Sequence, residues 1–296
     1  MNFSELTPKT RATLTSVGLD PAMVVEIIRR AINEDLDGGQ DVTTVATVDV
    51  NQKSVAQFSA RKAGVIAGVV IAQATLETLG ISDVTVFVED GESVKADTLL
   101  LSARGNTRKL LLAERTALNF LGHLSGIATL TQQWVSEVAE YKTGIRDTRK
   151  TTPGIRHLEK FAVRMGGGIN HRLSLNESAL IKDNHIESAG GVRQALERLR
   201  TFDSNIEVEV EVDTLDQLRE VLTLKPEIIL LDNMSVEECK EAVAITKGAV
   251  KLEASGGLSL ENAKEYAATG VAYLAVGALT HSAPVLDIGL DLKAEI

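Results

Sequence analysis

Three acidic residues recur at an interval of 21: Glu211, Asp232 and Glu253. Each stands at the end of an apolar, strand-like run, at 206–212, 227–231 and 249–252. One strand-helix unit of a β/α barrel takes roughly this length, and the carboxyl ends of barrel strands converge on one mouth. A single acid there could merely cap the next helix; three in register predict a ring of carboxylates. Such a ring suits Mg²⁺ carried with a phosphorylated substrate, because that ion prefers carboxylate, water and phosphate oxygens.

A second group has the opposite charge. Between residues 143 and 172, Arg146, Arg149, Lys150, Arg156, Lys160, Arg164 and Arg172 face only Asp147 and Glu159, with His157 and His171 alongside. Lys182 and His185 follow. Lys160 and Arg164, at i and i+4, fit a solvated helix face. Two stretches resist that reading. Asp147-Thr148-Arg149-Lys150-Thr151-Thr152-Pro153-Gly154 reads as a strand end entering a loop, and Gly166-Gly167-Gly168 precedes Asn170-His171-Arg172. Cations on loops of unusual backbone predict a built anion site. Arginine can grip a carboxylate or phosphate with two parallel hydrogen bonds, and lysine offers a point charge. Gly256-Gly257, between Glu253 and a helical pattern, are expected to present backbone amides at a helix N-terminus, and Gly277 holds the equivalent place one unit later.

Other chemistries lack their residues. There is no Gly-x-Ser-x-Gly elbow, no metalloprotease helix and no reactive-cysteine context. One cysteine and five scattered histidines give no zinc spacing. His123, inside an apolar helical stretch, reads as a packing or interface residue.

The elements that must position these groups fall into two rhythms. Apolar residues at helical spacing mark 21–35, and 109–131 is a long helical stretch without proline. Short alternating runs at 55–58 and 84–88 predict strands, with turns at Asp90-Gly91 and Gly105-Asn106. Beyond them, strand patterns at 206–212, 227–231, 249–252 and 271–276 alternate with helical ones at 215–224, 236–246 and 260–268. The second helix opens with a capping box, Ser235-x-x-Glu238. This alternation predicts βαβ units and a parallel sheet, so the fold class is α/β, with an α+β region preceding a barrel.

Bulk properties narrow the partners. In 296 residues, 44% are hydrophobic and only 3% aromatic, so a base- or sugar-stacking surface is not expected. A formal charge of −10 opposes nucleic acid or an anionic membrane as partner. Cys239, the single cysteine, fits a reducing compartment. No signal-peptide pattern opens the chain, and the longest apolar run, 64–79, is broken by Gln73, Thr75, Glu77 and Thr78. A soluble cytoplasmic protein is expected.

The motifs in their order resemble the quinolinate phosphoribosyltransferase family. The resemblance rests on Glu114-Arg115-Thr116-Ala117-Leu118-Asn119-Phe120-Leu121, the Asp147–Gly154 signature, Gly166–Arg172, and Leu180-Ile181-Lys182-Asp183-Asn184-His185. Glu209–Asp213, Leu230–Asn233, Ala254–Gly257 and Val276–His281 complete it. It covers the chain from about Glu34 onward. It implies an N-terminal α/β sandwich over 1–114, joined by the tail 283–296, and an incomplete α/β barrel over 115–282. It implies phosphoribosyl transfer from phosphoribosyl pyrophosphate to quinolinate, with decarboxylation to nicotinic acid mononucleotide and Mg²⁺ as cofactor. A homodimer, or a larger assembly of dimers, is implied, with Arg115 reaching the neighbouring subunit's site. The quinolinate carboxylates would meet Arg115, Arg149, His171 and Arg172, while Lys150 and Lys182 bridge towards phosphoribosyl pyrophosphate. Glu211 and Asp232 would hold ribose hydroxyls and the Mg²⁺-bound substrate; Ser255, Gly256, Gly257 and Gly277 would cradle the 5′-phosphate. Glu253 could orient Lys182 or Lys251. Three rivals remain at this stage: a paralogue of the same fold lacking part of the dicarboxylate pocket, a Schiff-base aldolase using Lys182, and a non-catalytic phosphate-binding barrel.

Overall fold

The computed structural model describes residues 3–295. Met1, Asn2 and Ile296, at the ends of the ranges 1–114 and 283–296, lie outside the described residues. The chain forms two compact units. The first comprises Met1–Gln132, Thr152–Gly167 and Ser282–Ile296; the second comprises Gln133–Thr151 and Gly168–His281. Position 114 falls inside the helix Thr107–Glu137, whose residues belong to both units.

In the first unit, four antiparallel strands stand in the order Ile288–Ala294, Lys53–Ala60, Leu99–Asn106, Asp83–Val86. Lys53–Ala60 alternates buried and partly exposed residues, so one face of the sheet carries the core. Gly105-Asn106, expected as a turn, instead ends the strand Leu99–Asn106, because Gly105 pairs with Ser54. Asp90-Gly91 does form a turn, and Asp90 Oδ1 accepts from the Gly68 and Val69 amides at 2.6 and 2.8 Å, capping the buried helix Val69–Thr78. The solvated face expected for Lys160 and Arg164 is not found. Their helix Arg156–Met165 buries Lys160 completely, and Arg164 Nη2 donates to the Val17 carbonyl at 2.6 Å. Helical spacing tells which residues share a face, not what packs against it. His123 does pack: its Nε2 lies 2.8 Å from Oε1 of the fully buried Glu159, whose Oε2 accepts from the Thr152 amide at 2.9 Å.

The second unit holds six parallel strands that do not close, in the order Gly144–Arg146, Tyr273–Ala275, Lys251–Ser255, Ile228–Asp232, Val208–Val212, Ala179–Ile181. The expected mixed α/β fold with an open parallel barrel sheet is therefore present. Helices return between the strands, and their starts are written in the sequence. Val236–Thr246 opens with the Ser235–Glu238 capping box. Leu215–Leu222 opens with a second box, Thr214 and Gln217, that the sequence reading passed over.

Register decides which side chains meet. Partners in a parallel sheet share a face, and alternate residues of a strand return to it. Glu211 and Glu253 both pair with Leu230, so these acids share one layer. Asp232 pairs with Ser255 in the next layer towards the strand ends. The three acids share one face, as the 21-residue interval suggested, but not one ring. Among the described residues, no helix is long and apolar enough to cross a membrane.

Candidate active site

The strand ends of the second unit surround a cavity of about 400 Å³. Thr148, Arg149 and Lys150 enter it from the loop after Gly144–Arg146, and His171 and Arg172 from the segment before Ala179–Ile181. Lys182, Glu211, Asp232, Glu253 and Ser255 come from successive strand ends. Eight predicted site residues are thus brought to one cavity: Arg149, Lys150, His171, Arg172, Lys182, Glu211, Asp232 and Ser255. Arg115 is exposed on the helix Thr107–Glu137 of the first unit.

The cationic wall is poised for an anion. Burial holds the Arg172 guanidinium below its usual pKa, and the Arg149 charge pushes the same way. The Nε atoms of both arginines are buried without a hydrogen-bond partner. Two mutually repelling guanidiniums with unused donors fit a ligand carrying more than one carboxylate. Arg172 Nη1 donates to the Ser178 carbonyl at 2.8 Å, which fixes the side chain's direction.

The loop carrying Arg149 is braced from behind. Asp147, fully buried, accepts from the His171 amide at 2.8 Å and from Asn170 Nδ2 at 2.6 Å. His171 itself offers no free ring nitrogen. Its Nδ1 accepts from the Arg172 amide at 2.7 Å, and its Nε2 faces Glu209 Oε2 at 2.9 Å. His171 lines the cavity as expected, and both of its ring nitrogens are engaged by protein groups.

On the opposite wall, Lys182 Nζ is ion-paired with Glu211 Oε2. Asp232 Oδ2 accepts from Asn233 Nδ2 at 2.7 Å. Asp213 has its pKa raised by burial and then by the charges of Asp183 and Asp232, against the pull of Lys182. Crowded carboxylates at a strand-end mouth are a donor set that fits a hard divalent ion with phosphate oxygens. The phosphate-type glycines differ from expectation. Gly256-Gly257 do not open a helix, since Ala263–Ala267 begins six residues later. They form a left-handed turn, with φ of 88° and 63°. Gly256 is needed for close approach, because a Cβ there would collide with Asn233 Oδ1 and lie 3.0 Å from the Asn233 nitrogen. At Gly277 a Cβ would lie 3.1 Å from Lys150 Cδ, so this glycine makes room for the lysine. The Lys150 carbonyl accepts from Thr280 Oγ1 at 2.8 Å, which ties the signature loop to the Gly277 turn.

Two groups escaped the sequence reading. Arg146, counted among the anion-binding cations, donates to the fully buried Glu253 at 2.5 Å and stacks 4.7 Å over Tyr273. Glu253 consequently orients neither Lys182 nor Lys251 as expected; its contacts are Arg146 and, at 3.7 Å, His171 Nε2. Glu209 was quoted only as part of a motif. Its position two residues before Glu211 was the available signal, since i and i+2 share a strand face.

Comparison with known proteins agrees with this geometry along nearly the whole chain. Residues 41–125 match the quinolinate phosphoribosyl transferase N-terminal domain, and residues 127–291 match its C-terminal domain. A nicotinate-nucleotide pyrophosphorylase (carboxylating) of Mycobacterium leprae is 52% identical, with 90% of this chain and 96% of that protein covered. A mitochondrial quinolinate phosphoribosyltransferase (decarboxylating) of Nicotiana tabacum is 39% identical, with 92% of this chain and 82% of that protein covered. Among solved structures, the nicotinate-nucleotide pyrophosphorylase of Ehrlichia chaffeensis superposes with a TM-score of 0.86 at 40% identity, covering 90% of this chain and 98% of that one. That of Francisella tularensis gives 0.86 at 38% identity, covering 93% and 96%. With both domains matched and the paired-arginine cavity at the strand ends, the chain belongs to the quinolinate phosphoribosyltransferase family.

Proposed function

We propose that this protein transfers the phosphoribosyl group of phosphoribosyl pyrophosphate to quinolinate and decarboxylates the product, giving nicotinic acid mononucleotide, pyrophosphate and CO₂. The observation that carries this reading is the pair of arginines, Arg149 and Arg172, which line the same cavity as Glu211 and Asp232 and whose Nε donors are buried without a partner.

A pyridine with two adjacent carboxylates supplies acceptors for both guanidiniums, and holding it there aims the ring nitrogen at the sugar. Lys150 and Lys182 draw the pyrophosphate, while Ser255 and the turns at Gly256, Gly257 and Gly277 receive the 5′-phosphate. Attack at the anomeric carbon passes through an oxocarbenium-like state, and the carboxylates of Glu211 and Asp232 stabilise that positive charge. After transfer the ring nitrogen is a cation; its charge stabilises the electron pair left on the adjacent ring carbon as CO₂ departs, and that carbon then takes a proton from water. Glu211 and Asp232 would hold Mg²⁺ through the phosphorylated substrate and water; bound there, it offsets the charge of the leaving pyrophosphate.

Lys182 speaks against a Schiff-base reading, because its amine is ion-paired and its side chain is 47% exposed rather than set in an apolar pocket. We also propose a homodimer in which Arg115 completes the partner's cavity; exposure of Arg115 supports this. A cytoplasmic location accords with the single unpaired cysteine.

The deciding experiment supplies purified protein with quinolinate, phosphoribosyl pyrophosphate and Mg²⁺, and follows nicotinic acid mononucleotide by absorbance and CO₂ by label release. Equal amounts of both products are expected. Well-folded protein that produces neither would refute the assignment.

A further inference from the structure

Neither arginine of the dicarboxylate pocket lies in a helix or strand: Arg149 follows the strand Gly144–Arg146, and Arg172 follows a glycine run in sequence. Quinolinate carries its carboxylates on adjacent ring carbons, at one fixed separation. Two guanidiniums that meet them must be held at a matching separation before the ligand binds. Glycine-rich chain is conformationally permissive and does not supply this by itself.

One residue joins the two segments. The Ile169 amide donates to the Ile145 carbonyl at 2.8 Å, and the Asp147 amide donates to the Ile169 carbonyl at 3.2 Å. Ile169 thereby forms a parallel bridge with Arg146 at the strand edge. Gly144 leaves room for it, since a Cβ there would lie 2.6 Å from Ile169 Cδ1. The Asp147 side chain then continues the pairing. Its Oδ1 accepts from the His171 amide at 2.8 Å, and its Oδ2 accepts from Asn170 Nδ2 at 2.6 Å. Main chain and side chain of Asp147 thus hold three successive residues, Ile169, Asn170 and His171. Arg149 stands two residues beyond this clamp on one segment, and Arg172 one residue beyond it on the other. Asp147 is 0% exposed, and the cavity lining on its loop begins at Thr148, so it does not itself meet the ligand. Burying a carboxylate is unfavourable unless its oxygens are hydrogen-bonded, and here both are.

We propose that Asp147 is a positioning residue: by clamping the segment 169–171 to its own loop, it sets the spacing of Arg149 and Arg172, and with it the preference for two adjacent carboxylates over one. This rests on the dicarboxylate reading above and deepens it.

The test compares the Kd values of quinolinate and nicotinate, measured by calorimetry on the full chain. Asp147→Asn keeps an oxygen for the His171 amide but sets an NH₂ group against Asn170 Nδ2. It should weaken quinolinate about 10²-fold, the scale for displacing a binding group by about 1 Å, and leave nicotinate, which one arginine can hold, nearly unchanged. Combining Asp147→Asn with Asn170→Asp lets the new amide donate to the new carboxylate, with the direction of that bond reversed. The pair should restore most of the preference. Should Asp147→Asn fail to fold, Asn170→Ala, which removes only the bond to Oδ2, must still lower the preference for quinolinate. Equal weakening of both ligands, or a paired variant no better than Asp147→Asn alone, overturns the inference. A wild type without preference for quinolinate over nicotinate overturns the dicarboxylate reading and this inference with it. A preference that the wild type shows and Asp147→Asn keeps overturns only the inference.

Discussion

Lys182 and Glu211 are ion-paired across neighbouring parallel strands, as the register Ile181 to Val210 requires of the residues that follow. In the proposed reaction the pair would set a cation for the departing pyrophosphate beside a carboxylate for the sugar. Glu211→Gln should lower kcat about 10²–10³-fold, the range for removing one preorganised group that faces developing charge. Because Lys182 is half exposed, the same change should alter stability by less than about 1 kcal/mol. Steady-state kinetics beside thermal melts check both, and an unchanged kcat would remove Glu211 from the reaction.

Arg149 and Arg172 repel one another across the cavity, so an anion bound between them relieves that repulsion. Arg172→Met should leave the melting temperature unchanged or raise it, while weakening quinolinate binding. Quinolinate at 100 times its Kd should stabilise the wild type by about 2.7 kcal/mol. Nicotinate, with one carboxylate, should do much less at equal concentration. Thermal shifts for the two ligands measure this; equal shifts would deny the site a preference for two carboxylates.

Much of this site was legible because its parts are local. The Asp147–Gly154 loop, the strand-end acids and the helix Val236–Thr246 with its capping box depend on spacing and short-range hydrogen bonds. What was not legible depends on tertiary pairing. Arg146 looks like every other cation of its segment until Glu253, 107 residues away, is packed against it. Lys160 is buried by its helix's surroundings, which no helical pattern encodes. The capping box at Thr214 was visible as Thr-x-x-Gln and was passed over; the Gly256-Gly257 turn was read as a helix start because glycines mark both.

Gly256 and Gly257 separate two demands that a glycine pair can meet. Both have positive φ, but only Gly256 faces a neighbour, the Asn233 side chain and backbone. Gly257→Ala meets open space and should cost about 1 kcal/mol for its left-handed backbone. Gly256→Ala adds the collision and should cost about 1–3 kcal/mol more. It should also raise KM for phosphoribosyl pyrophosphate, since Asn233 is bonded to Asp232. Urea midpoints of the two variants give the comparison, and equal losses would mean that Asn233 moves aside freely.

Glu253, ion-paired with Arg146, gives the cavity lining a pH signature. Burial, and then the charge of Glu209, raise its pKa from 4.5 to about 7, against the pull of Arg146 and His171. The sign follows from which state keeps the proton. Between pH 4.5 and about 7 the unfolded chain has lost it while the folded protein still holds it. Stability from this group is therefore full below 4.5, declines as pH rises towards 7 and levels off above it, a loss on the order of 3 kcal/mol. Glu253→Gln, a neutral isostere, should flatten the profile in that window while keeping a group that can accept from Arg146. Urea unfolding of wild type and variant across the window reads the difference. Parallel profiles would mean that Glu253 is ionised throughout and that Arg146 alone neutralises it.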